Sequence, residues 1–161
     1  MNTELKVGSK TLKLANNALT PILYRQIFGK DFLLLFSSVM TKNKSLINKA
    51  VELQKAKAEF DAGKIEKEAY LKKITSLGFT DEELGYVNER SELMSELAFI
   101  MNKQAELANI EELLKLSKLD YYKFLSGFNP NELKSAEVVG AIITFWQGNA
   151  APSGDIEAKN A

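Results

Sequence analysis

The segment NNALTPILYRQIFGKDF, residues 16–32, decides how this chain folds, because it joins a predicted β-hairpin to a long series of predicted helices. Upstream of it, residues 4–7 and 11–14 alternate polar and apolar side chains, which is the period of a half-buried strand. Gly8 and Ser9 lie between them, and glycine at the first central position suits a type II′ hairpin turn. Downstream of the segment the apolar periodicity is helical. The sequence therefore predicts a hairpin followed by helices.

The segment itself predicts one helix over residues 18–28 and the beginning of another. Asn17 is a suitable N-cap, and Pro21 is tolerated in a first turn, where N–H groups have no partner within the helix. Gly29 suits the left-handed position that ends a helix, and Asp31 is then expected to cap a second helix over residues 32–42.

The middle of the chain predicts a charged helical hairpin and a long helix. Helices over residues 45–60 and 64–77 are connected closely enough to fold back on one another, and their many lysines and glutamates are typical of a hairpin that protrudes from a core. Thr80 followed by Glu83 forms a capping-box pattern, which predicts the start of the longest helix.

Three further helices are expected towards the C-terminus. Two are short and cover residues 110–116 and 119–125. The last begins at Asn129 and Pro130, because proline favours the first helical position, and it continues without a break to Trp146.

These elements predict a mainly α fold, a bundle of about six to seven helices with a small N-terminal β-hairpin and a disordered C-terminal tail. Residues 1–147 are predicted to form a single helical domain, with residues 45–77 as the charged helical hairpin within it. Residues 148–161 contain Ile156 as their only large apolar side chain, so a flexible tail is expected.

Charge and hydropathy exclude several classes of partner. The 161 residues contain 21 Lys and Arg against 21 Asp and Glu, so the chain has no basic excess with which to neutralise nucleic-acid phosphates. No apolar run approaches the about 20 residues that span a bilayer, and no signal peptide is recognisable. We therefore expect a cytoplasmic protein that binds neither nucleic acid nor membrane.

The composition also disfavours catalysis. The chain contains no cysteine and no histidine, which removes the usual thiolate nucleophile, the commonest general base and the commonest transition-metal ligand. The acidic pairs Glu82-Glu83 and Glu111-Glu112 fall in the first turns of predicted helices, where they favour the helix dipole. Calcium-loop and phosphate-loop motifs are missing. The sequence predicts no catalytic, cofactor-binding or metal-binding residue, and we expect that the protein is not an enzyme.

Three segments resemble the tail assembly chaperones of long-tailed phages (siphophages) and prophages of Gram-positive bacteria. They are the N-terminal hairpin with residues 18–32, the segment YKFLSGFNP at residues 122–130, and the helix EVVGAIITFW at residues 137–146. The resemblance covers both ends of the chain, and residues 43–109 lie outside it.

The resemblance implies a non-catalytic chaperone of virion morphogenesis. Such a protein binds the tape measure protein and keeps it soluble, and a frameshifted longer form recruits tail tube subunits. It works in the cytoplasm of the bacterial host and is not part of the mature virion. In this sequence, Ala158-Lys159-Asn160 can be encoded by GCA AAA AAC, which contains the slippery heptamer A AAA AAC needed for a programmed frameshift.

Partner contacts are predicted at Ile142, Phe145 and Trp146, which end the last helix beside the predicted tail; core packing is the alternative role for these side chains. A different class of function also stays open. A helical oligomeric adaptor or regulatory protein, without a chaperone role, would self-associate into a defined oligomer and be indifferent to a tape measure chain.

Overall fold

The computed structural model describes residues 1–42 and 44–148 of the chain, so the predicted tail lies outside the described residues from position 149 onward. Two strands and nine helices occur in the described part, and the mainly α fold class with an N-terminal hairpin is confirmed. In chain order they are β1 (Asn2–Val7), β2 (Lys10–Ala15), α1 (Thr20–Phe28), α2 (Phe32–Lys42), α3 (Lys44–Asp61), α4 (Lys67–Leu77), α5 (Asp81–Glu106), α6 (Ile110–Leu114), α7 (Lys118–Leu125), α8 (Pro130–Leu133) and α9 (Ala136–Trp146).

The hairpin forms as its sequence predicts. β1 and β2 pair antiparallel with Leu5 opposite Leu12, and the apolar members of both strands are buried on one face. The turn residue Gly8 has a φ of +59°, whereas φ at Ser9 is not positive, which is the type II′ arrangement. The period of two therefore fixes which face of the ribbon meets the core.

Contacts along the chain separate two compact units. Unit 1 consists of residues 1–35 together with the chain from residue 91 onward, and unit 2 consists of residues 36–90. The single domain that the sequence predicts over residues 1–147 stays a prediction.

The core of unit 1 is built around the second half of α5. Ten consecutive residues of this helix, 93–102, are buried, so this half of α5 is covered on every side rather than along one stripe. Helix α9 packs against β1 and contributes six buried side chains. The largest fully buried side chains of the described residues all belong to unit 1: Tyr24, Phe32, Phe99, Phe145, Leu14, Leu23, Met94, Leu97, Ile100, Met101, Leu133 and Ile142.

Unit 2 contains the predicted charged hairpin, and it buries little apolar surface. Helices α3 and α4 run antiparallel, since the rings of Phe60 and Tyr70 stack at 4.7 Å and Lys73 pairs with Glu59 at 2.7 Å. Among the described residues of this unit, the buried apolar side chains are those of Val39, Leu46 and Ala56. Helix α4 has no buried residue.

Several predicted helix boundaries are confirmed by their caps. Gly29 ends α1 with a φ of +69°, and the side chain of Asp31 accepts a hydrogen bond from the Leu34 N–H at 3.2 Å at the start of α2. Thr80 and Glu83 form the reciprocal pair expected of a capping box, with distances of 3.1 and 3.3 Å.

Several boundary predictions were wrong, among them the end of α6, which lies at Leu114 rather than at residue 116. The last helix is divided into α8 and α9, because the backbone of Ser135 is extended and its hydroxyl caps α9 by accepting from the Val138 N–H at 3.3 Å. Helix α1 begins at Thr20 rather than at residue 18, since the Asn17 side chain accepts from the Leu19 N–H at 2.8 Å and forms a turn ahead of the helix. Helix α4 begins at Lys67 rather than at residue 64, because residues 64–66 reverse the chain direction after α3.

None of the helices in the described ranges has both the length and the apolar character needed to cross a bilayer.

Candidate partner-binding surface

A polar cluster fixes the start of α1, the helix that carries the candidate surface. Thr20 is fully buried, and its hydroxyl donates to the side-chain oxygen of Gln104 at 2.7 Å. The Gln104 amide nitrogen in turn donates to the Asn17 side-chain oxygen at 2.7 Å. Because buried polar groups must be paired, this cluster holds the N-terminus of α1 against α5 in one arrangement.

The inner face of α1 is anchored in an aromatic cluster of unit 1. The ring of Tyr24 lies 5.0 Å from that of Phe28 and 5.2 Å from that of Phe32, and Phe28 meets Tyr121 of α7 edge to face at 5.2 Å. Rings at these separations add attraction beyond the area that they bury. The inner face is thus held by packing, which leaves the opposite face free to be a surface.

A buried carboxyl group lies inside this aromatic cluster. Glu96 of α5 is 4% exposed and accepts a hydrogen bond from the Tyr24 hydroxyl. Burial raises the pKa of Glu96, and the Tyr24 hydrogen bond and the positive charge of Lys30 oppose that shift. Burial and the same hydrogen bond raise the pKa of Tyr24 above its usual value. The pair is enclosed by packed rings, so we assign it a structural role rather than a binding role.

The outer face of α1 bears an open depression of about 360 Å³, lined by Pro21, Ile22, Arg25 and Gln26. Ile22 is 56% exposed, whereas Leu23, Ile27 and Phe28 of the same helix are buried. Helix α6 lies alongside, because the Gln26 side-chain amide donates to the Leu114 carbonyl oxygen.

Helix α6 extends this apolar surface. Ile110 and Leu114 lie one turn apart and are 51% and 44% exposed. We call the whole feature the α1–α6 surface and define it by six residues: Pro21, Ile22, Arg25, Gln26, Ile110 and Leu114. Apolar side chains on two adjoining helices, with a neutral amide between them, form the kind of surface that accepts the apolar face of another helix.

Charge at the edge of this surface is provided by an ion pair. Arg25 donates to the Asp31 carboxylate at 2.6 Å, and the Arg25 side chain is 70% exposed. The pKa of Asp31 is lowered, first by the hydrogen bond from the Leu34 backbone and then by Arg25. Because the pair is exposed, it contributes little stability and leaves the guanidinium accessible to an acidic partner.

The residues predicted to contact a partner lie mostly in the core. Ile142 and Phe145 are 0% exposed, and Trp146 is half-buried with its ring 4.7 Å from that of Phe32, edge to face. The structure brings the three together on α9. Partner contact at Ile142 and Phe145 stays a prediction, and it would require α9 to leave its packed position.

Sequence patterns alone did not single out the α1–α6 surface. The apolar stripe of α1 is wider than one buried face needs, and that excess was the available signal for an exposed Ile22. Glu96 was also passed over, although it stands within the otherwise apolar and small run 93–101 and so has no polar face to occupy. Its partner Tyr24 lies 72 residues away, which no local pattern reveals.

Metal and thiol sites are not found in the part of the chain that the structure describes. Over residues 1–42 and 44–148, no three metal-ligating side chains approach one another closely enough to hold an ion. Comparison of the chain with protein-family models, with curated proteins and with solved structures found no match.

Proposed function

We propose that the protein is a non-catalytic tail assembly chaperone of a siphophage or prophage. It binds the tape measure protein, keeps it soluble, and helps to recruit tail tube subunits through a frameshifted longer form. The protein acts in the cytoplasm of the bacterial host and is not part of the mature virion. No chemical step is included in this role.

The resemblance of three segments supports the proposal, and all three belong to unit 1. They comprise the hairpin with α1, the α7–α8 region and α9. Unit 2, in contrast, consists of residues 36–90, and most of these residues lie outside the resemblance. The resembling segments therefore belong to one compact body.

The observation that carries the proposal is the α1–α6 surface. It presents Ile22, Ile110 and Leu114 to solvent on two helices in contact, with few groups that demand a particular polar partner. A tape measure protein is a very long, helical and partly hydrophobic chain, so its chaperone needs shallow apolar sites of low stringency. If several copies bind along one client, their individually weak contacts together give a stable complex.

Co-expression with the tape measure protein of the same phage tests the proposal. The tape measure protein is expected to be insoluble alone and soluble in a complex that is recovered by pull-down. Introduction of a charge by Ile22→Glu or Leu114→Glu should reduce the recovered complex, because each places a carboxylate in the apolar contact. Circular dichroism and a melting curve establish that each variant is folded.

Leu71→Glu is the matched control, because Leu71 is 50% exposed on α4 in unit 2 and receives the same change. This variant should retain the complex. The proposal would be contradicted if the tape measure protein stayed insoluble when co-expressed with either the short or the frameshifted form. It would also be contradicted if all three variants reduced the recovered complex equally.

A self-associating helical adaptor is the second candidate, and one observation favours it. Ile47 and Val51 lie one turn apart on α3 and are 41% and 43% exposed, in a unit that buries little else. Sedimentation of the purified chain tests this candidate. A concentration-independent oligomer that Val51→Glu dissociates, together with no effect on the tape measure protein, would favour the adaptor over the chaperone.

A further inference from the structure

The outer face of α7 combines exposed apolar and basic side chains. Leu119 and Tyr122 are 61% and 59% exposed, and Lys118 and Lys123 are exposed on the same side of the helix. Lys118 precedes Tyr122 by four positions, and Lys123 follows Leu119 by four, so each apolar side chain has a lysine one helical turn away. The apolar pair therefore lies at the centre with a cation at either end. We call these four residues the α7 face.

The two lysines of the α7 face have no anionic partner within the part of the chain that the structure describes. Neither forms an ion pair there. The one acidic residue of α7, Asp120, accepts instead from the Ser117 backbone N–H and hydroxyl at 2.9 and 3.0 Å, in the cap of the helix. Both ammonium groups are thus available to a partner.

The position of Lys118 is unfavourable for the helix itself. Lys118 is the first residue of α7, where the helix dipole disfavours a positive charge. The exposed Lys115 lies three positions earlier and adds to the positive charge at this end of α7. Folding stability does not account for a lysine at position 118, whereas an acidic partner does.

The shape and charge of the α7 face fit one kind of partner. Leu119 and Tyr122 are three residues apart, so they form a short ridge that packs between the side chains of another helix. Carboxylates on both sides of the apolar contact would complement Lys118 and Lys123. Nucleic acid fits less well, because the chain has no net positive charge and Leu119 has no ring on which a base can stack.

We propose that the α7 face binds an acidic amphipathic helix of a partner protein. Two apolar side chains of that helix pack against Leu119 and Tyr122, and carboxylates on either side of them pair with Lys118 and Lys123. The α7 face shares no residue with the α1–α6 surface, so this contact is additional to the one proposed for the tape measure protein and does not rest on it.

Titration with a synthetic helix tests the proposal on the isolated chain. The probe is an alanine-based peptide of about 16 residues, with two leucines three positions apart and glutamates on both sides of them. Amide signals of residues 118–123 should shift and saturate as the peptide is added. A matched peptide with glutamine in place of each glutamate should bind at least about tenfold more weakly, and added salt should reduce the difference.

Variants of the α7 face separate its charges from its apolar contact. Lys118→Glu combined with Lys123→Glu should weaken binding of the glutamate peptide at least about tenfold and create binding of a peptide with lysines at the same positions. Leu119→Ser combined with Tyr122→Ser should abolish binding of both peptides. Lys57→Glu combined with Lys67→Glu is the matched control, because it reverses two exposed cations in unit 2 and should leave the affinity unchanged. Circular dichroism and a melting curve establish that each variant is folded.

Several outcomes would overturn the proposal. They are shifts confined to another surface, equal affinity for the glutamate and glutamine peptides, and a charge-reversed α7 face that binds as well as the control variant. Displacement of the peptide by a single-stranded oligonucleotide or by phosphatidylglycerol vesicles would assign the face to another class of partner. Shifts of residues 118–123 with protein concentration alone would assign it to a second copy of the chain.

Discussion

At the scale of single residues, Glu96 is a buried group whose negative charge is disfavoured by the fold. Its pKa is raised by burial, so the folded state binds its proton more tightly than the unfolded state does. The stability that this proton contributes is fully present below the unfolded pKa, near 4.5, and is lost as the pH rises through the higher folded value. A pH above the unfolded pKa of Glu96 therefore weakens unit 1 relative to a lower pH.

Glu96→Gln should stabilise the protein at pH 8 and change little at pH 4.5. Glutamine retains an oxygen that accepts from the Tyr24 hydroxyl but carries no charge to desolvate. Urea unfolding at the two pH values, followed by the fluorescence of the single tryptophan, measures the difference. Glu92→Gln is the matched control, since Glu92 lies one turn earlier and is exposed, and its effect should be much smaller.

Tyr24→Phe examines the same pair from the other side. Removal of the hydroxyl leaves the buried carboxyl group of Glu96 without its donor and should lower the unfolding free energy by about 1–3 kcal/mol. The cost should shrink in the Glu96→Gln background. Equal costs in both backgrounds would show that the hydroxyl and the carboxyl group do not interact.

At the scale of elements, the break between α8 and α9 depends on one hydroxyl group. Ser135→Ala removes the cap on the Val138 N–H and should lower the unfolding free energy by about 1 kcal/mol. Ser135→Thr keeps a capping hydroxyl and should retain most of the stability. Thermal unfolding followed through Trp146, which ends α9, compares the two variants. Equal loss in both would assign the effect to crowding at this position rather than to the cap.

The helix ends that could be predicted from sequence are those fixed by neighbouring residues. Each of these caps involves residues only a few positions apart, so the local sequence was sufficient to predict the helix end. They are Thr80 with Glu83, Gly29, and Asp31. The break at Ser135 was missed because the apolar periodicity continues across it. Serine is common inside helices, and only the extended backbone at this residue distinguishes a cap from an interior position.

The candidate surface could be predicted less well than the fold, for a physical reason. Periodicity identifies an apolar face but not whether another element covers it. Ile142 and Ile22 are both apolar members of helical stripes, yet one is 0% and the other 56% exposed. Coverage depends on packing between elements that are distant along the chain, such as α9 with β1.

At the scale of the whole molecule, the two units differ in how much they bury. Residues 93–102 of α5 are all buried, whereas α4 has no buried residue. We expect the slowest amide hydrogen exchange in residues 93–101 and fast exchange throughout α4, because exchange follows local opening. Mass spectrometry of peptides from exchanged protein measures both regions. Equal protection would mean that α4 is covered in solution, for example by a second copy.

Acid should affect the units differently. In unit 2, hydrogen bonds from Lys73 and Lys49 lower the pKa values of Glu59 and Glu83. Stability from these carboxylates is present above their unfolded pKa, near 4.5, and is lost as the pH falls through the folded values. The pKa of Glu96 is raised instead, so protonation of this residue at low pH stabilises unit 1 and offsets part of the loss there.

The amide spectrum recorded from pH 7 down to pH 3 tests this difference. Signals from residues 36–90 should lose their dispersion at a higher pH than signals from residues 93–101. Lys49→Met removes the partner of Glu83, so the stability of unit 2 should depend less on pH in this variant than in the unaltered protein. Simultaneous loss of both sets of signals would contradict the prediction.

Unit 1 is assembled from two segments that are far apart along the chain, and this has a consequence for synthesis on the ribosome. The hairpin and α1 emerge first, but α9, which packs against β1, is translated more than a hundred residues later. Unit 2 is contiguous along the chain, whereas unit 1 cannot be completed until nearly the whole chain has been made. During that wait the apolar face of the hairpin is uncovered, so a nascent chain stalled before α9 should be a target for the folding factors of the cell.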